Sequence, residues 1–253
     1  MQTIQQSVRT GLMRPFRKFG LAAARHWPWP VRAKLTNGRR MFVDLRSAIG
    51  RGLFMKGEFD PAVFGPLRDA LKPGGSFLDV GSNVGFYSML ALDVVGDTGA
   101  VHAFEIDERP LRCLRKTVQT ENIRNLFLHE AAVGQSDGNT QIAMRADSGH
   151  TSMVNDGGQR QVKLVALDTW WRNTGVRSIQ AIKIDIEGAE LLALKGAVGL
   201  LREERPVLVC ETEPEWQARF GYDQKDLLKF LEGLGYRVNS LAGALSPTVV
   251  AVG

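Results

Sequence analysis

The stretch Phe77-Leu78-Asp79-Val80-Gly81-Ser82-Asn83-Val84-Gly85-Phe86-Tyr87-Ser88 decides the fold. A short apolar run breaks into a glycine-bearing turn, and beyond the turn the apolar spacing becomes helical. Gly81 and Gly85 let the backbone turn sharply and approach a ligand without a Cβ in the way, and the unpaired N–H groups of the helix start offer hydrogen bonds. The next apolar run, Ala100-Val101-His102-Ala103-Phe104, ends in Glu105, 26 residues after Asp79. A carboxylate at that strand tip is placed to accept both hydroxyls of a ribose. Strand, turn, helix and acid together predict a nucleotide site.

The turn also limits which nucleotide fits. A dinucleotide fold spells it with three closely spaced glycines that cradle a pyrophosphate. Here the spelling is Asp79-x-Gly81-x-x-x-Gly85, and a carboxylate at the strand end repels a pyrophosphate while suiting the ammonium of an amino acid. Adenosine joined to a methionyl group satisfies both acids, so S-adenosylmethionine is the expected cofactor.

The 253-residue chain is 44% hydrophobic and 23% charged, enough to bury a full core. No apolar run approaches the length of a membrane span, and the first 30 residues lack the apolar centre of a secretory signal. The expected compartment is the cytoplasm. Cys113 and Cys210 lack metal-ligand spacing, which predicts neither a zinc site nor a disulfide framework. Residues 1–43 hold nine Lys or Arg and no acid, so against a chain total of +5 the remainder carries −4. Within that extension Val8, Leu12, Phe16, Phe19 and Ala23 recur at helical spacing, and Trp27 and Trp29 follow between prolines. The stripe reads either as a cap packed on the domain or as a helix over residues 8–29 making peripheral contact with the anionic inner surface of a membrane.

Asn37-Gly38 between residues 33–35 and 40–45 predicts a small β-hairpin. A helical region over Leu53–Leu71 follows. From Ser76 onward strands at 76–80, 100–105, 126–131, 179–185 and 206–212 alternate with helices at 84–94, 108–121, 188–201 and 223–233, and a hairpin of 235–241 with 247–252 closes the chain. Such alternation predicts a doubly wound α/β sheet, mainly parallel and covered on both faces. Residues 1–50 form the basic extension with its hairpin, and 51–253 the main domain. The polar segment 134–178 breaks the rhythm and predicts an inserted hairpin, 139–145 with 161–167, and a mobile loop beside the ligand cleft.

A second cluster ends strand 179–185: Lys183-Ile184-Asp185-Ile186-Glu187-Gly188-Ala189-Glu190, with Glu211-Thr212-Glu213 ending the following strand. Parallel strands place their carboxyl ends on one edge, so Asp79, Glu105, Asp185 and Glu211 converge there. Lys183 and Asp185 share a face, and Lys183 can pair with Asp185 or Glu211, tuning a carboxylate that takes or orients a hydroxyl proton. Glu190 reads as an acid favoured in the first turn of a helix.

Taken together, Phe77 to Gly85, Ala103-Phe104-Glu105, Ala132-Val133-Gly134 and Lys183 to Glu190 resemble the FkbM family of S-adenosylmethionine-dependent methyltransferases, over a match from about Gly57-Glu58 to Glu211. The resemblance implies the class I methyltransferase (Rossmann-like) fold, seven strands with one antiparallel, and O-methylation of a sugar, glycolipid or polyketide-type hydroxyl. It implies that Asp79, Gly81, Ser82, Asn83, Gly85 and Ser88 shape the methionyl pocket. Glu105 and Ile106 hold the ribose side, Ala132 and Val133 line the adenine slot, and Glu58 closes over the cofactor. Asp185, beside Lys183, is the first choice as base or orienter, and it borders the cofactor as well. His150 in Ser148-Gly149-His150-Thr151-Ser152 is the other candidate. Asp185, Glu211 and Glu213 can alternatively hold a hard divalent cation, although their oxygens are not uniquely spaced. The basic extension has no counterpart in the family pattern.

Among competing functions, a nicotinamide-dependent oxidoreductase lacks its glycine fingerprint here. Base methylation uses an Asn-Pro-Pro or Asp-Pro-Pro turn followed by an aromatic residue where this chain has Asp185-Ile186-Glu187-Gly188. Ribose methylation of a nucleic acid, served by the basic extension, is the alternative, against which the acidic edge repels phosphates. A binding module without turnover is disfavoured by intact acids at every expected strand end. The number of subunits is not encoded in these patterns.

Overall fold

The computed structural model describes residues 26–144, 151–152 and 159–253, the side chains of 143–144, 151–152 and 159 excepted. The apolar stripe of residues 8–23 in the basic extension and His150 lie outside the described residues. The Asn37-Gly38 turn closes a hairpin of β1 (Val31–Lys34) and β2 (Arg40–Val43), with Leu35 N–H bonded to the Arg39 carbonyl at 2.8 Å. The predicted Leu53–Leu71 helix is two helices, α1 (Ala48–Lys56) and α2 (Pro61–Ala70). Gly57 at φ +74 ends the first with a left-handed cap, and Pro61 opens the second where its missing N–H costs nothing.

Then come β3 (Ser76–Val80), α3 (Phe86–Val95), β4 (Ala100–Phe104), α4 (Glu108–Thr120), β5 (Leu126–His129) and β6 (Ala132–Val133). The segment after them holds β7 (Gly138–Met144), β8 (Thr151–Ser152), β9 (Gln159–Val165) and a helix the sequence reading did not place, α5 (Leu167–Thr174). The chain continues through β10 (Ile179–Ile184), α6 (Glu190–Lys195), α7 (Val198–Glu204), β11 (Val207–Glu211), α8 (Pro214–Ala218) and α9 (Gln224–Gly233). It closes with β12 (Arg237–Ser240) and β13 (Thr248–Val252).

The central sheet runs β12-β13-β11-β10-β3-β4-β5, and β13 alone is antiparallel to its neighbours. This is the mainly parallel class I arrangement expected. Every residue of β3 is buried, as a strand covered on both faces must be. Phe77, Val101, Ala103, Ala181 and Val209 face a layer of α1 to α4 and the hairpin. Leu78, Val80, Phe104, Ile182, Leu208 and Cys210 alternate to the other face, against α5, α6, α7 and α9. The inserted hairpin is β7 paired with β9, extended by β6 and β8 into a second, four-stranded sheet.

The helix expected over 188–201 breaks at Gly196. A Cβ there would stand 2.1 Å from the Gly134 carbonyl, so only glycine lets the two segments meet. Asp168, from α5, then accepts the Gly199 and Leu200 N–H groups at 2.8 Å each and starts α7 afresh.

One buried pair predicts how stability responds to acid. His102 Nδ1 lies 3.1 Å from His129 Nε2; His102 stacks on Phe127 and His129 on Phe104, and both rings meet Trp170 edge-on. Burial lowers both histidines from 6.5 to about 4, aided at His102 by His129 and at His129 by Lys163. Their contribution is complete above the unfolded value and is lost as pH falls from about 6.5 to about 4, worth on the order of 3 kcal/mol for His102. Thermal unfolding from pH 8 to 4 should therefore show a shallower loss in His102→Phe than in the wild type; parallel curves would show that the pair is protonated at little cost.

Candidate functional site

A cavity of about 380 Å³ opens at the carboxyl edge of the central sheet, within the size range of small-molecule sites. Its floor is made where β3 and β10 end side by side. Asp185 N–H bonds the Val80 carbonyl at 3.0 Å, and Gly81 and Ser82 N–H groups bond the Phe104 carbonyl at 3.0 Å each. Gly81 sits at φ +78, and a Cβ there would lie 1.8 Å from the Asp185 carbonyl oxygen. The glycine is thus required by the neighbouring strand as well as by the turn.

At one end, Glu105 ties two loops together. Its Oε2 accepts the Asn83 N–H at 2.7 Å, and its Oε1 accepts the Ile106 and Asp107 N–H groups at 2.7 and 2.8 Å. Burial raises its carboxyl to about 7, against the lowering effect of those three donors. Phe104, Ile106, Ala132 and Val133 add an apolar wall beside it.

The other end is charged. Lys183 is 5% exposed, and its Nζ lies 3.0 Å from Asp185 Oδ2, 3.3 Å from the Gly81 carbonyl and 5.2 Å from the centre of the Tyr87 ring. Burial alone would lower the ammonium, but Asp185 and Asp79 more than offset it and hold it above its ordinary range. Asp185 keeps 40% of its side chain exposed, and Glu211 is hydrogen-bonded to it. Burial, then the Asp185 charge and that hydrogen bond, push the Glu211 carboxyl up to about 9. Glu211 therefore carries its proton at neutral pH and shares it with Asp185.

Gly81, Ser82, Asn83, Glu105 and Ile106 line the cavity, as do Ala132, Val133, Lys183 and Asp185. Four expected residues do not. Asp79 is fully buried behind the turn, its Oδ2 accepting the Ser88 N–H at 3.0 Å and the Ser88 hydroxyl at 2.6 Å. It caps the start of α3, and Ser88 is its partner rather than a wall residue. Gly85 faces α4, where a Cβ would meet Leu114 Cδ1 at 2.4 Å. Glu58 is exposed, and its neighbours Phe59 and Asp60 take the lining position because α2 begins there. Glu190, expected as a first-turn acid, is buried and accepts the Ile186 and Gly188 N–H groups and the Tyr222 hydroxyl, which shapes the loop above β10.

Tyr87, Asp60, Trp216 and Ser246 also border the site, and the sequence reading missed them. Only Asp60 had a readable signal, a carboxylate directly before a helix-opening proline. Among the described residues no group of three or more His, Cys, Asp or Glu side chains could hold a metal ion. The Lys183 ammonium already supplies the positive charge beside Asp185.

An apolar wall beside a carboxylate, and a charged pocket at the other end, offer the chemistry that adenine, ribose and a zwitterionic tail require. The buried Ser82 hydroxyl, with no partner among the described residues, supplies an unmet hydrogen-bonding group in the turn between them. No helix of the described residues is long and apolar enough to cross a membrane.

No protein of curated function matches the chain. Among solved structures, the chain is similar to methyltransferase FkbM from Methylobacillus flagellatus at 18% identity, covering 80% of this chain and 54% of that one, with a TM-score of 0.49. It thus spans about half the length of that relative. It is also similar to a methyltransferase dependent on S-adenosylmethionine from Aquifex aeolicus, at 18% identity over 76% and 93% of the two chains, TM-score 0.45. Aeropyrum pernix fibrillarin, solved with natively bound S-adenosyl-L-methionine, matches at 15% identity over 90% and 97%, TM-score 0.46. The profile of the methyltransferase FkbM domain matches residues 79–238, more than half of the chain, and with it the chain belongs to the FkbM family of S-adenosylmethionine-dependent methyltransferases.

Proposed function

We propose that the chain is an O-methyltransferase that alkylates a hydroxyl of a sugar, glycolipid or polyketide-type acceptor, with Asp185 taking or orienting the hydroxyl proton. The observation that carries this reading is the half-exposed Asp185 carboxylate held between the Lys183 ammonium and the hydrogen-bonded Glu211 on the cavity floor. Bound S-adenosylmethionine supplies a methyl carbon already activated by its sulfonium. The protein's part is to align a hydroxyl with that carbon and to accept the proton as the oxygen attacks.

Lys183 fixes the Asp185 carboxylate in place, and Glu211 donates to it instead of adding a second negative charge. Gly81, Ser82 and Asn83 shape the turn under the tail of the cofactor, Glu105 offers its remaining acceptor capacity to the ribose, and Ile106, Ala132 and Val133 border the base. His150 is the second candidate for the proton. An RNA ribose is the weaker acceptor, because its phosphates would meet the half-exposed Asp185 carboxylate of the cavity. A lipid-borne acceptor is supported by Trp27 and Trp29, 52% and 60% exposed at the end of the basic extension, which suit the interface of an anionic membrane.

Asp185→Asn should keep the rise in Tm on adding S-adenosylmethionine and lose transfer of labelled methyl to cell-extract acceptors by about 100-fold or more; full transfer would move the proton to His150. Glu105→Ala should abolish most of that rise, and an unchanged rise would remove Glu105 from the ribose. Glu211 loses its proton near 4.5 when unfolded and near 9 when folded, so its support for folding is complete below about 4.5 and is lost as pH rises through 9. Glu211→Gln keeps the donor without the ionisation. At pH 8 its Tm should exceed that of the wild type by about 2 °C or more, with the gap closing at pH 4.5; a gap independent of pH would show that Glu211 is ionised in the fold.

A further inference from the structure

The acids around the charged end of the cavity differ in how much of their hydrogen-bonding capacity is spent. Asp79 is sealed behind Ser88 and does not line the cavity. Asp185 is engaged by Lys183 and Glu211, and Glu211 holds a proton. Asp60 keeps one oxygen unspent. It lines the cavity and is 6% exposed; its Oδ2 accepts the Leu245 N–H at 2.7 Å, while its Oδ1 is buried with no partner among the described residues.

The backbone makes this placement costly. Asp60 has φ +35, a left-handed conformation that a non-glycine residue adopts at some expense, and its side chain does not cap the helix it precedes. The Tyr87 hydroxyl, bonded to the Asp60 carbonyl at 3.3 Å, holds the residue from above, and the Leu245 N–H holds it from the side. A carboxylate oxygen removed from water and left unmatched is a cost that a bound cation removes.

From this we propose that Asp60 Oδ1 receives the ammonium of the amino-acid tail of S-adenosylmethionine, the role Asp79 was expected to play. The assignment rests on the reading that the cavity holds this cofactor with its ribose at Glu105. The tail then runs from Glu105 past the Gly81 to Asn83 turn, and its ammonium needs an acceptor beyond the turn that is not already engaged. Asp60 has that acceptor. A zwitterionic tail is thereby distinguished from a neutral one by a single carboxylate.

The test compares two nucleosides by calorimetry: S-adenosylhomocysteine, which has the tail, and 5′-methylthioadenosine, which lacks it. Asp60→Asn retains a carbonyl for the Leu245 N–H, tolerates the left-handed backbone, and presents an NH2 group where the ammonium needs an acceptor. It should weaken S-adenosylhomocysteine by about tenfold or more and leave 5′-methylthioadenosine unchanged. Glu105→Gln should weaken both alike, since both carry the ribose. Equal weakening of both ligands in Asp60→Asn, or no weakening of either, would overturn the Asp60 assignment alone. A wild-type chain that binds neither nucleoside would overturn the reading of the cavity itself.

Discussion

The Lys183 ammonium sits at the meeting point of the Gly81 carbonyl, the Asp185 carboxylate and the Tyr87 ring, with Asp79 close enough to help raise its proton affinity. Asp79 is its ladder partner on β3, and Val209, two residues before Glu211, is its partner on β11. One buried cation therefore spans three adjacent strand ends. Burying it without partners would cost several kcal/mol, so the carboxyl groups and the lysine are each tolerable only because of the others. Removing the lysine would leave carboxyl groups facing one another, and removing Asp185 would leave the ammonium with a carbonyl and the raised Asp79 and Glu211 groups.

Such a network is a poor source of net stability, since the desolvation of its members consumes most of their attraction. What it provides is position. Asp79 is drawn to Ser88 and caps α3, so the turn after β3 is braced from within the chain. Asp185 is turned to the cavity with a fixed orientation, and Glu211 keeps a proton that in water it would have released. The destabilising part of this arrangement is concentrated in Glu211 and Asp60, both of which line the cavity.

The fold was legible because its signals are local. A run such as Ser76–Val80, followed by a glycine turn and an apolar helix, encodes strand, turn and helix in adjacent residues, and the carboxyl-edge convergence of Glu105, Asp185 and Glu211 follows from parallel topology. What was not legible depends on distant partners. The break between α6 and α7 exists because Asp168, about thirty residues earlier, caps Gly199 and Leu200, and because Gly134 crowds Gly196. Helix α5 shows only a short apolar pattern, Leu167, Trp170 and Trp171, inside a segment whose polarity suggested loop. Asp79 was assigned to the ligand from its strand-end position, yet alternation turns it toward α3, where Ser88 takes it. Glu58 and Asp60 are both acids before α2, and two residues of backbone direction separate an exposed side chain from a buried one.

The charge pattern of the cavity also constrains what enters it. Lys183 is already matched by Asp185, Glu211 is neutral through its proton, and Asp60 contributes a negative charge without a countercharge among the described residues. That end of the cavity favours a net positive guest and disfavours phosphates, whose charge would meet the same carboxyl groups before any compensation. A sulfonium donor with an ammonium tail suits such a field, and a neutral alcohol can approach Asp185 without opposing it. Loss of the sulfonium charge would weaken the attraction of that end for the product, while the ammonium of its tail and the contacts around Glu105 would remain.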